Sequence, residues 1–155
     1  MSVKVQSESF DLTRILLEMK KNNAAIGAAV SFIGFVREVA KVHQSEQLTS
    51  LYLEHYPDMT EKSLLEIENK ARGKWHLEDV FIVHRVGELK LHDPIVGVIV
   101  LSAHRKDAFD ACAFIMDYLK VEGNSDLVRD MDSRAILNTS ESGYNEYMNK
   151  RNLQE

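Results

Sequence analysis

The chain has 155 residues, 45% of them apolar and 28% charged, with a formal net charge of -5. That is enough for one domain with a sizeable core, and 2 prolines with 7 glycines argue against long disordered linkers. The acidic balance argues against broad, nonspecific nucleic-acid binding but leaves room for a local basic pocket. Cys112 is the single cysteine, so no disulfide can close within the chain, and a reducing setting fits. Met1 to Phe10 lacks the apolar stretch of a signal peptide, and no apolar run approaches the roughly 18 residues of a membrane span. Cytoplasm is therefore the expected compartment.

Leu12, Ile15, Leu16 and Met19 fall at helical spacing, with Asp11 placed to cap them and Asn22-Asn23 to end them. From Ala24 to Val36 the chain is apolar on both alternations, which predicts a strand buried on both sides. Glu38 to Gln47 is polar and mixed in charge, and reads as a loop. Thr49 to Tyr56 is a second strand, stopped by Pro57-Asp58. Leu64, Ile67 and Ala71 mark the apolar face of a helix from Thr60 to Lys74, with Thr60 as its cap. Val80 to Val86 is a third strand with a turn at Gly87, and Ile95 to Ala103, nearly all apolar and β-branched, is a central one. Ala108, Cys112, Ile115 and Leu119 mark a third helix ending near Lys120. The order α-β-β-α-β-β-α predicts a two-layer α+β domain over residues 1–120. Residues 121–155 form a polar tail with scattered apolar side chains, expected to make one or two short helices over the domain or against a partner.

Most site chemistries lack their motifs. The 6 histidines include no pair at His-x-x-x-His spacing and no Cys/His cluster, so no metal site is expected. Phosphate-loop, dinucleotide and nucleophile-elbow patterns are missing. What remains is local. Ser102-Ala103-His104-Arg105 sits where a buried strand hands over to a helix, and a helix's first turn has free N–H groups that suit a phosphate or carboxylate. The bland alternative is a solvated Arg105 and a His104 that merely caps the helix. Arg37 ends the first buried strand, either at a site or as the first solvated residue. Lys120 closes the third helix, where a cation suits the dipole whatever its function. Cys112 lies on an apolar helix face, so a buried, inert thiol is expected. His84-Arg85, alternating within a strand, reads as a satisfied or solvated pair.

Five ordered segments resemble the large subunit of molybdopterin synthase, the MoaE family: AAVSFIGFVR (Ala28 to Arg37), LEHYPDMTEK (Leu53 to Lys62), VHRVGEL (Val83 to Leu89), LSAHR (Leu101 to Arg105) and AFDACAFIMDYLK (Ala108 to Lys120). The resemblance implies an α/β hammerhead-type fold and a homodimer at the core of a heterotetramer. It implies a partner, a small ubiquitin-like sulfur carrier ending in a Gly-Gly thiocarboxylate. The implied reaction in molybdenum cofactor biosynthesis places two sulfurs on cyclic pyranopterin monophosphate, giving the molybdopterin dithiolene. No resident cofactor is implied, because the sulfur arrives on the partner.

Carried over by position, the resemblance implies substrate binding by Phe35, Val36, Arg37, His104 and Arg105, with the His-Arg pair reaching the site of the neighbouring subunit. An arginine's planar fork suits phosphate. Lys120 would stand beside the thiocarboxylate, stabilising a tetrahedral centre or moving a proton, with its pKa lowered by nearby cations. Beyond Lys120 the family continues with Pro-Phe-Trp-Lys, whose lysine is a second active-site cation. Here the chain reads Val121-Glu122-Gly123-Asn124-Ser125-Asp126-Leu127, the only tryptophan is Trp75, and the nearest cation is Arg129. Two functions follow: a sulfurtransferase, or a catalytically impaired relative that serves as a binding and dimerisation subunit for the sulfur carrier.

Overall fold

In a computed structural model the chain begins with strand β1 (Val3–Gln6), helix α1 (Leu12–Met19), strands β2 (Ala28–Phe35) and β3 (Ser50–Leu53), and helix α2 (Met59–Lys74). Strands β4 (Asp79–Arg85), β5 (Gly87–Lys90) and β6 (Pro94–Ser102), helix α3 (Arg105–Glu122), and strands β7 (Leu127–Asp130) and β8 (Ile136–Asn138) follow. The structure describes residues 2–37, 50–54, 58–122, 127–130 and 136–138, with the backbone alone for 50, 120–122, 127–130 and 136–138. The expected Glu38 to Gln47 loop lies outside the described residues.

β6 organises the larger sheet, whose order is β1-β4-β6-β2. It pairs antiparallel with β4 on one side and β2 on the other, and β1 joins β4 in parallel. Alternate residues of β4 and β6 point to opposite faces. Val80, Ile82, Val98 and Val100 meet Leu64, Ile67 and Ala71 of α2 and Ala108, Ala111 and Ile115 of α3. Phe81, Val83, Ile99 and Leu101 meet Leu12 and its helix α1. The mixed α+β class is as expected, and α1 adds a layer on the second face. Two-sided burial of β4 and β6 requires such a cover.

Local chemistry sets the boundaries. The Asp11 carboxylate accepts from the Arg14 N–H at 3.2 Å and caps α1, as its position predicts. Asn22 takes φ 66° just past the helix end, a conformation asparagine tolerates. α2 starts one residue earlier than its sequence pattern suggests: Asp58, at φ 69°, precedes it and its carbonyl accepts from Lys62 N–H, so Thr60 lies inside the helix rather than capping it.

Three expectations change. β2 is an edge strand, not one buried on both sides: Phe32, Ile33 and Phe35 are 41%, 38% and 56% exposed. Its apolar alternation records a surface that a second layer or a second chain would cover. A smaller sheet, β5-β3-β7-β8, also stands beside the first. β3 is the expected second strand, while β5, β7 and β8 have only 3 or 4 residues, too short for a period-2 pattern to emerge. Finally, α3 runs on to Glu122, and the described parts of the tail beyond it are strands β7 and β8 rather than the expected short helices. β7 pairs with β3, tying the tail to the domain.

Ile115 is fully buried between α3 and the sheet. Ile115→Ala should lower the unfolding free energy by about 3 kcal/mol, seen as a lower urea midpoint at unchanged slope.

Candidate active site

The first half of the candidate site is the turn between β6 and α3. Ser102 is the last residue of β6 and Arg105 the first of α3, so His104 and Arg105 stand at the helix entrance, as the sequence pattern predicts. Both side chains are exposed. The His104 carbonyl accepts from Ala108 N–H at 3.3 Å, the first bond of the helix. Lys106 is also there, but its ammonium is held by Asp110 at 2.8 Å. His104 and Arg105 are thus better placed than Lys106 to meet an incoming anion.

The second half lies where β2 ends. The register slips between Gly34 and Phe35, and Phe35 then pairs with Pro94. A bulge of this kind re-aims the residues that follow it. Phe35 and Arg37 are exposed, whereas Val36 between them is buried. The Val36 side chain packs with Leu51 and Leu89 beneath the smaller sheet. Its N–H donates to the Asp93 carbonyl at 2.8 Å, and its own carbonyl accepts from His92 N–H at 2.9 Å. Val36 therefore has neither a free backbone group nor an accessible side chain. Within one chain it anchors the strand end, whereas Phe35 and Arg37 on either side of it are exposed.

These two halves do not meet within one chain. Ala28 pairs with Ser102 and Phe35 with Pro94, so His104 and Arg37 extend beyond opposite ends of β2. A strand of this length spans about 23 Å. α3 starts at the Ser102 end and packs back across β6 and β2. A helix from Arg105 to Lys120 covers about 22 Å, which carries the Lys120 backbone toward the end where β2 finishes. The Lys120 side chain lies outside the described residues. One chain thus offers Phe35, Arg37 and the Lys120 backbone at one end of the sheet, and His104 with Arg105 at the other.

Residues 5–122 match the family model described as MoaE protein. The chain belongs to the MoaE family. A molybdopterin synthase catalytic subunit of Pseudomonas aeruginosa is 44% identical over 120 residues, which is 77% of this chain and 78% of that one. Among solved structures, molybdopterin cofactor biosynthesis protein E from Burkholderia multivorans superposes with a TM-score of 0.68 at 45% identity, covering 77% of this chain and 75% of that one. A molybdopterin synthase structure from Staphylococcus aureus gives a TM-score of 0.69 at 32% identity over 77% of this chain and 84% of that chain. The MoaE match ends at residue 122, close to Lys120, where the last of the resembling segments ends.

The MoaE-like frame has one support that sequence reasoning passed over. Arg85 is buried, and its guanidinium donates to the Ser7 carbonyl at 2.9 and 3.1 Å and to the Pro94 carbonyl at 3.2 Å. It joins the β1 end to the start of β6, beside the Asp93 turn that holds Val36. A His-Arg pair in a strand carries no mark of this, because the hydrogen-bond acceptors are backbone oxygens, the Ser7 one 78 residues away. Cys112 is buried in the α2–α3 core, and burial pushes its thiol above the ordinary cysteine value. A protonated, enclosed thiol is a poor nucleophile, so this cysteine packs rather than reacts.

Half-buried His84 donates from Nδ1 to the Arg85 carbonyl at 2.8 Å. Burial lowers its pKa below the ordinary 6.5, although the hydrogen bond opposes the shift. The native ring is therefore neutral where the unfolded ring begins to take a proton. Stability from this residue is full above about pH 6.5 and falls as pH drops through 6.5 toward the folded value. His84→Asn should reduce the loss of melting temperature between pH 7.5 and 5.5; an unchanged pH slope would remove His84 as a contributor.

Proposed function

We propose that the chain transfers sulfur from the thiocarboxylated C-terminus of a small ubiquitin-like subunit to cyclic pyranopterin monophosphate, forming the molybdopterin dithiolene in the cytoplasm. The MoaE match across residues 5–122 carries this reading, and it spans every residue assigned to the site. Arg37, His104 and Arg105 hold the phosphate and pterin by charge-assisted hydrogen bonds. Phe35 contributes an exposed ring beside them. Lys120 is assigned to the partner's tail. When sulfur leaves the tail's acyl carbon, water must add there, and the oxyanion that forms is stabilised by a nearby ammonium. The sulfur comes with the partner, which fits a buried, protonated Cys112 and requires no resident cofactor.

A complete site needs two copies of the chain. Among the described residues no strand pairs with the outer edge of β2, and Phe32, Ile33 and Phe35 are exposed there. Two such edges related by a two-fold axis run antiparallel. That reversal sets the Arg37 end of one copy beside the His104 end of the other. The homodimer core then carries two equivalent sites, each taking one sulfur-carrier tail, as a heterotetramer.

Single-turnover mixing with thiocarboxylated small subunit and cyclic pyranopterin monophosphate tests the reaction. Dithiolene product should appear, and Lys120→Ala should slow it by about 100-fold. A stable complex with the small subunit that yields no product would overturn the sulfurtransferase reading and leave a binding subunit. Phe32→Glu puts a charge on the open edge. It should shift the chain toward monomer in analytical ultracentrifugation and abolish turnover, while leaving the circular dichroism spectrum unchanged.

A further inference from the structure

The turn that presents His104 and Arg105 is held from three directions. Ser102, fully buried, donates its hydroxyl to the His76 carbonyl at 3.0 Å. The same oxygen faces the His104 N–H at 3.5 Å. One side chain thus links the loop after α2 to the backbone of a site residue. Gly27 holds the turn from the β2 side: its N–H donates to the Ser102 carbonyl at 3.0 Å. A Cβ on Gly27 would fall on the Ala103 carbonyl oxygen, so only glycine permits this approach. On the third side, Ala108 N–H bonds the His104 carbonyl as α3 begins.

Such fixing exceeds what a solvated strand-to-helix turn requires. The side chains it presents, His104 and Arg105, are exposed. We propose that Ser102 and Gly27 are positioning residues that set the His104–Arg105 turn for the site of a second copy. The proposal rests on the two-copy reading above. A rigid mount matters there because the side chains must reach across an interface, and a displacement of about 1 Å can cost on the order of 100-fold in rate.

Ser102→Ala removes the hydroxyl link with little change in volume. In the intact complex it should raise the KM for cyclic pyranopterin monophosphate about tenfold or more. Affinity for the thiocarboxylated small subunit should change far less than the KM, because Lys120, assigned to the tail, comes from the other copy than the turn that Ser102 mounts. Ser102→Thr, which keeps the hydroxyl, should restore part of the loss. Gly27→Ala perturbs the turn from the other side and should give the same KM effect, which covers the case in which Ser102→Ala folds poorly. Differently tagged chains then separate positioning from general damage. In a purified Arg37→Ala/Ser102→Ala heterodimer one site carries both lesions and the other carries neither, so about half of the wild-type turnover should return. An Arg37→Ala/His104→Ala heterodimer should recover likewise. If that heterodimer recovers and the Ser102→Ala one does not, or if both Ser102→Ala and Gly27→Ala show wild-type KM, the positioning role is overturned. If neither heterodimer recovers while the wild type is active, the two-copy site fails and the proposal with it. An inactive wild type overturns the sulfurtransferase reading instead.

Discussion

The structure depends on burying both faces of β6. From Val98 to Ser102 every residue is fully or almost fully enclosed, the polar Ser102 included. One alternation binds α2 and α3, and the other binds α1. The strand also pairs with β2 and β4 along its two edges, so its position fixes strands and helices at once. Everything assigned to chemistry lies just outside this block. His104 and Arg105 follow its last residue, and Phe35 to Arg37 flank its first.

Much of this was legible in the sequence, for a physical reason. Long elements with repeated burial leave long patterns. β6, β4, α1, α2 and α3 each contain enough periodic residues to announce themselves, and the Ser102 to Arg105 junction follows from where β6 stops. β1, β5, β7 and β8 are 3 or 4 residues long, and such segments look like ordinary loop composition. β2 misled in a different way. Its apolar alternation was read as burial inside the chain, yet the chain leaves Phe32, Ile33 and Phe35 exposed. A sequence records that a face is apolar without recording which molecule covers it.

The candidate site shows the same division. Arg37, His104 and Arg105 combine a charged or polar tip with a position at the end of an element, and both properties can be read locally. Val36 could not be separated from its neighbours that way. It stands between two exposed residues, and its role follows only from Leu51, Leu89 and the Asp93 turn. Arg85 was equally silent, since its partners are the carbonyls of Ser7 and Pro94. Both residues act through the strand end they hold, so their work is visible only in three dimensions.

Separating the binding cations across the sheet has a consequence for how the site is maintained. Within one chain, Arg37 and the His104–Arg105 pair are too far apart to repel one another appreciably at physiological ionic strength, where screening acts over about 8 Å. Each cationic group can therefore stay exposed in the free chain with little destabilisation. In the two-copy site we propose, the charges would come together only on pairing, and the apolar β2 edge would contribute the burial that offsets their repulsion. A phosphate-bearing substrate would relieve what remains. In this proposed arrangement the fold of one chain keeps the cations apart, the apolar edge would bring them together, and the anion would be held most strongly where neither chain alone could hold it.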